Sequence, residues 1–205
     1  MEILITSKTH KGKAACVGGL IISNNDYVRL LNPGNRDQYA DTNFDIGDIW
    51  DIKFTRRKDI DPPHIEDIII HSKTYLRKIE NISDFILNCG VEIFRGSPNR
   101  IFNGLLAWTG NGGGYIGNRD HLPNNSVGFW ISDIDLELVD KHYHYPSINT
   151  STPIKRIPYV GFDPTVEVIP AGTLRRISLA RWWKPEDSEI NERCYLQLSG
   201  WYGLG

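Results

Sequence analysis

Hydrophobic positions along this chain come in short runs broken by Gly, Pro, Asn and Asp, and the pattern favours strands over helices. Residues 1–9 open on Ile3-Leu4-Ile5, and residues 15–22 and 27–31 follow, separated by glycine-rich or Asn24-Asn25-Asp26 turn chemistry. These read as three strands, the last two a hairpin. Residues 46–54 alternate, with Ile46, Asp48, Trp50, Ile52 and Phe54 on one side of the pleat and Gly47, Ile49, Asp51 and Lys53 on the other, which predicts a fourth strand. Pro62-Pro63 stops whatever precedes it, and the β-branched residues 65–72 predict a fifth. One segment reads as helix: Ser83 can cap residues 84–89, and Gly90 stands where a helix C-terminus takes positive φ. Five short strands with one short helix are the content of a small closed barrel of the OB type.

The second half repeats this style without repeating the sequence. Residues 101–108, 127–132, 136–142, 156–162, 174–183 and 193–202 are candidate strands separated by Gly, Pro and Asn, enough for a second β-barrel or a sandwich. The divide is expected between Gly90 and Ser97, giving units of residues 1–92 and 93–205. Little linker character marks the junction, so the units should pack closely.

Composition narrows the class. With 205 residues, 40% hydrophobic and 23% charged, the chain can bury one sizeable core or two small ones and is neither disordered nor fibrous. Neither a signal peptide nor a membrane span is expected, because the first apolar stretch is brief and no other approaches the roughly 18 residues a spanning helix needs. A cytoplasmic location follows as the expectation. Asn81-Ile82-Ser83, Asn124-Asn125-Ser126 and Asn149-Thr150-Ser151 match the glycosylation pattern, which carries no weight without a secretory signal. Cys16, Cys89 and Cys194 lie far apart and none sits in a CxxC pair, so a disulfide framework and a thiolate zinc site are both unexpected.

A net charge of −2 excludes a uniformly basic surface but leaves room for a local one. From 155 to 184 the cations Lys155, Arg156, Arg175, Arg176, Arg181 and Lys184 face only Asp163 and Glu167. Such asymmetry suits a polyanion. Lys8, His10, Lys11 and Lys13 form a second basic cluster and Arg56-Arg57-Lys58 a third. Along 174–183 a period of two puts Arg175, Ile177, Leu179, Arg181 and Trp183 on one face and Leu174, Arg176, Ser178, Ala180 and Trp182 on the other. If one face is buried, the other presents a guanidinium beside an indole, a combination that grips single strands. The competing reading places Trp182, Trp183, Trp201 and Tyr202 in a barrel core, with arginines over their rings.

Other motifs fail on their own chemistry. Gly112 to Gly117 fits GxGxxG, yet the Asn118-Arg119-Asp120-His121-Leu122-Pro123 that follows cannot form the helix whose N-terminus receives a pyrophosphate. His64-Ile65-Glu66 is the HxE step of zinc nucleobase deaminases without the partner PCxxC. His142 and His144 share one face of a strand without an assignable third ligand, and Cys16 reads as a small buried residue. No GxSxG, HExxH or P-loop occurs.

Two stretches carry a family resemblance. The strings Ile5-Thr6-Ser7-Lys8-Thr9, Cys16-Val17-Gly18-Gly19, Val28-Arg29-Leu30-Leu31-Asn32-Pro33 and Ile46-Gly47-Asp48-Ile49-Trp50 resemble a prokaryotic family of dual OB-fold domain proteins. Residues 176–183 and 194–202 resemble the other end of that family, so the likeness spans nearly the whole chain. It implies two OB folds and a nucleic-acid or nucleotide ligand, often in a defence-system setting, and it implies no reaction. The expected fold is therefore all-β, two packed OB-like β-barrels with one short helix in the first half. The expected function is non-catalytic binding of single-stranded nucleic acid or a nucleotide, with Arg29, Arg176, Arg181 and Lys184 on phosphate and Trp182 and Trp201 stacking on bases. No cofactor or metal is expected, and a protein partner encoded nearby is a further expectation. The rivals are a metal-independent nucleotide-processing enzyme using Lys8, His64 and Glu66, and a protein-interaction module.

Overall fold

The computed structural model describes residues 1–146 and 154–203, and the sequon at Asn149 lies outside them. Its first half holds β1 (Glu2–Lys11), β2 (Ala14–Ile21), β3 (Tyr27–Leu31), the short β4 (Gln38–Tyr39), β5 (Asp48–Arg56) and β6 (Asp67–Lys78). β1 pairs with β2 and β5, β2 with β3, β3 in parallel with β6, and β6 with β5, so five strands close on themselves. The fold is mostly β, as the pattern predicts. Gly12, at φ +59, is the first residue of the two-residue turn joining Lys11 to Ala14, where positive φ matches the twist of the flanking strands.

The unbroken Ile3-Leu4-Ile5 run has a structural cause. Ile3, Ile5, Val17, Val28, Leu30, Trp50 and Ile52 point into the barrel. Leu4, Leu20, Tyr27 and Ile49, their neighbours on the opposite face, pack with Ile86 against Phe129, Leu174 and Tyr202 of the second half. A strand buried on both faces loses its polar alternation. Each fully buried aliphatic side chain contributes about 1.5–3 kcal/mol, so this shared core binds the halves firmly.

Two expectations in this half are corrected. The helix α1 (Ile82–Asn88) is capped by Asn81, whose side chain accepts the Asp84 N–H at 3.0 Å, and not by Ser83. Asn is as good a cap as Ser, and Asn81 starts the helix at Ile82, one residue before Ser83. β6 runs on past Ser72 to Lys78 because β5 supplies hydrogen-bonding partners as far as Asp48. Its last eight residues are exposed, so no apolar pattern marks the extension.

The second half contains β7 (Ile93–Arg95), β8 (Ala107–Trp108), β9 (Gly114–Ile116), β10 (Val127–Ile131), β11 (Leu136–Val139), β12 (His142–Tyr145), β13 (Lys155–Pro158), β14 (Val168–Ile169), β15 (Leu174–Leu179) and β16 (Cys194–Tyr202). They form a curled sheet in the order β7-β10-β15-β16-β9-β8 and a second sheet β13-β12-β11-β14. Bridges at Gly113–Arg156 and Tyr159–Leu198 join the two around Trp130, Tyr143, Ile157, Ile177 and Leu198.

The strand expected over 101–108 is mostly absent. Pro98–Gly104 forms 3₁₀ turns, begun by the Ser97 hydroxyl and interrupted at Phe102 and Asn103, both at positive φ. Burial of Ile101 and Phe102 is what made the segment look like a strand. The expected 136–142 strand is likewise cut by Asp140 and Lys141, at φ 47 and 66, which form a tight turn between β11 and β12. No helix among the described residues is long and apolar enough to cross a membrane.

Candidate functional site

A cleft of about 300 Å³ opens where the barrel meets the second half. Ser7, Cys16, Gly18 and Arg29 from β1–β3, with His64, Glu66 and Asp67 from the segment leading into β6, form one wall. Ser126, Arg176, Ser178, Arg181 and Gln197 form the other. Lys11, Arg29, Arg176 and Arg181 are its cations and Glu66 and Asp67 its carboxylates, so positive charge is in excess.

Strand register builds the first cluster. The parallel pairing of β3 with β6 sets Arg29 opposite Asp67, and the guanidinium donates to both carboxylate oxygens at 2.6 and 2.8 Å. Arg181 Nη2 reaches the same oxygens from the other wall at 3.2 and 3.0 Å, and Arg57 Nη1 lies 3.3 Å away. Asp67 is only 2% exposed. Burial opposes its ionisation, but the bonds and charge of Arg29, then of Arg181, hold the carboxyl below its ordinary range. Arg29 is also 3.7 Å from Asp37, so all three of its nitrogens are engaged, whereas Arg181 uses Nη2 alone.

Two further contacts tie the walls together. Ser126 donates its N–H and hydroxyl to the two oxygens of Glu66, at 2.5 and 2.8 Å, while burial pushes the Glu66 pKa up. His64 Nε2 lies 3.2 Å from the Leu179 carbonyl and 3.1 Å from that of Ala180. It must therefore carry the proton and donate, leaving Nδ1 without a partner. Burial and then the Arg181 charge lower the His64 pKa to about 4, so the ring is neutral at pH 7.

Arg176 is different. It is 4% exposed, donates from Nη1 to Ser199 Oγ at 3.2 Å, and has a buried Nε with no partner. It forms no ion pair among the described residues. Its Nη2 lies across Gly18, where a Cβ would stand 2.5 Å from that nitrogen and 2.7 Å from Ser7 Oγ. Only glycine leaves this space open. A buried guanidinium held by one hydroxyl and facing a cleft has the chemistry to receive an anion.

A family model for the dual OB-containing domain matches residues 1–201. The chain belongs to that family. Neither a curated protein nor a solved structure matches it. Membership in the dual OB-containing domain family points to an OB-type binding module, and the ligand is then a question for the cleft's chemistry.

Within this dual OB chain, Arg29, Arg176 and Arg181 meet in the cleft, whereas Trp182, Lys184 and Trp201 lie outside its lining. Trp182 donates Nε1–H to the Pro62 carbonyl at 2.8 Å and carries Arg119 over its ring at 4.1 Å. Trp201 packs against Tyr143 and Tyr159 and borders a separate pocket with Lys8 and Phe162. Lys184 is exposed. Of the three acid–base candidates, His64 and Glu66 line the cleft, while Lys8 donates to the Thr42 carbonyl elsewhere.

Gly112, at φ +82, is required because a Cβ there would fall 1.9 Å from the Ile154 carbonyl oxygen; it serves the β8–β9 turn and no helix follows that turn. Among the described residues no group of three or more His, Cys, Asp or Glu is placed to hold a metal ion. Ser7, Gly18, Asp67, Ser126, Ser178 and Gln197 were not singled out by sequence. The one available signal was the polar Ser178 sharing a strand face with Arg176.

Proposed function

We propose that this protein binds a nucleotide, free or as the end of a single strand, non-covalently in the cleft between its two halves. The observation that carries the reading is Arg176, a buried cation that forms no ion pair among the described residues, in a cleft where positive charge is in excess. Arg181 adds its free Nε and Nη1, and Arg29 acts one step back by fixing Asp67, which in turn fixes Arg181. The volume lies at the low end of the roughly 300–1,000 Å³ typical of small-ligand sites, which supports one nucleotide unit over an extended strand. A longer strand would leave past Arg181, beyond which Trp182 and Lys184 follow in the chain. With units dividing near residue 92, each supplies one jaw. Binding proceeds without turnover in this reading: both Glu66 oxygens and His64 Nε2 are engaged by protein partners, and the buried His64 Nδ1 lone pair, the one open basic atom of the pair, has no second acid–base group beside it among those engaged.

Calorimetric titration with AMP, CMP, GMP and UMP against the matching nucleosides tests this. At least one monophosphate should bind at low ionic strength, its nucleoside about tenfold or more weaker, and added salt should weaken the complex. No binding of any monophosphate would overturn the reading.

A further inference from the structure

The cleft wall opposite the barrel carries polar groups beyond the anion seat. Ser178 and Gln197 are cross-strand partners on β15 and β16, and both line the cleft. Among the described residues neither side chain makes a hydrogen bond, although both are half-buried. Arg176 precedes Ser178 by two residues on the same face of β15, about 6.6–6.8 Å along the strand. Its guanidinium is anchored to Ser199, which follows Gln197 by two on β16. The wall therefore has two tiers, a cation with a hydroxyl and, next to it, an amide with a hydroxyl.

We infer that Gln197 and Ser178 read the hydrogen-bonding edge of a nucleobase whose phosphate rests on Arg176, so that the site discriminates among bases. The inference rests on the nucleotide reading above. A carboxamide offers a donor and an acceptor side by side, the arrangement that matches one base edge and mismatches another. A serine beside it supplies either role. Unsatisfied polar groups in a half-buried wall penalise a base that fails to pair with them, which is how such sites reject the wrong ligand. Ser7 Oγ, beside Gly18, stands with Arg176 in the anion tier.

The test is calorimetry with the same four nucleoside monophosphates on the wild-type chain, Gln197→Leu and Ser178→Ala, with melting temperatures alongside. The wild type should prefer one base by about tenfold or more. Gln197→Leu should reduce that preference to about twofold while keeping the advantage of monophosphate over nucleoside, and Ser178→Ala should reduce it partway. Among the described residues Gln197 makes no side-chain hydrogen bond, so the leucine variant should melt as the wild type does. Equal binding of all four bases by the wild type would overturn base reading and leave nucleotide binding standing. So would a preference that survives both substitutions. Absence of binding by every monophosphate would instead remove the nucleotide reading itself.

Discussion

Asp67 and Arg176 face each other across one cleft and solve the problem of buried charge in opposite ways. Around Asp67, three guanidiniums meet one carboxylate, and the strand register that sets Arg29 opposite it is part of the barrel itself. Around Arg176, one serine hydroxyl stands where an acid would be expected, and Nε has no partner among the described residues. The difference teaches that a count of cations does not locate a binding site. Arg29 is charged and near the cleft but fully engaged, so it serves architecture. Arg176 forms no ion pair among the described residues, its charge acting on Glu66 only at a distance, and an anionic ligand would take up the open side of its guanidinium.

The largest effect should come from the Asp67 side. Asp67→Asn keeps the shape but removes the charge three arginines share; Arg29 keeps Asp37 and Arg57 keeps Asp59, while Arg181 is left with no carboxylate partner among the described residues, and breaking a buried pair by removing one partner costs about 3–5 kcal/mol. For a chain of this size that is roughly 2–4 °C of melting temperature per kcal/mol, read by a thermal scan. Arg176→Met should behave oppositely: stability within about 1 kcal/mol of wild type, since an apolar replacement for a buried charge is often neutral, with nucleotide binding lost. If both variants lose stability equally, Arg176 is structural and the contrast collapses.

His64 sharpens the comparison through pH. Its folded pKa of about 4 lies below the ordinary 6.5, so the unfolded chain takes up a proton first as pH falls. The stability from burying the neutral ring is complete above pH 6.5 and is lost as pH drops through the window down to about 4, on the order of 3 kcal/mol. Glu66, raised by burial, has the opposite sign and partly offsets this, and Asp67, lowered, loses its contribution only below 3.8. The measurement is therefore a difference: the stability gap between wild type and His64→Gln should change by about that amount between pH 7 and pH 4. A gap that does not move with pH would show that the ring is not buried neutral.

The legibility of the molecule divides along similar lines. The strands of the barrel were readable because Ile3, Ile5, Val17, Val28 and Trp50 declare a core by pattern. The helix was readable to within its cap. β6 past Ser72 was not, because an exposed strand held by backbone bonds to β5 has no side-chain signature. Of the cleft's cations, Arg176 and Arg181 were visible in a charge asymmetry and Lys11 in a basic cluster, while Arg29 stood in neither. Their roles were not visible, since Asp67 is 38 residues from Arg29 and 114 from Arg181, and only the register of β3 with β6 and the docking of β15 join them. The two-face reading of residues 174–183 also failed to choose a face, because both are buried: Ile177 and Leu179 in one core, Leu174 in the other, with a bulge at Arg176 and Ile177 shifting the pairing.

A smaller loss of stability than that of Asp67→Asn should come from Gly18→Ala, which tests the seat without touching a charge. Gly18 does not have positive φ, so alanine meets no backbone strain, and the whole effect is steric. The new Cβ would stand 2.5 Å from Arg176 Nη2 and 2.7 Å from Ser7 Oγ. Both are ends of side chains that can move, so the cost in stability should stay at about 1–3 kcal/mol, the range for modest overpacking. The guanidinium, however, can make room only by leaving the position in which it faces the cleft. Nucleotide affinity should therefore fall about tenfold or more while the melting temperature drops by only a few degrees, with Gly19→Ala, which meets Ile3 and the Leu4 carbonyl instead, losing stability more than affinity. Unchanged affinity in Gly18→Ala would mean that the ligand does not rest on Arg176, and the contrast between an engaged and an available arginine would have no functional consequence.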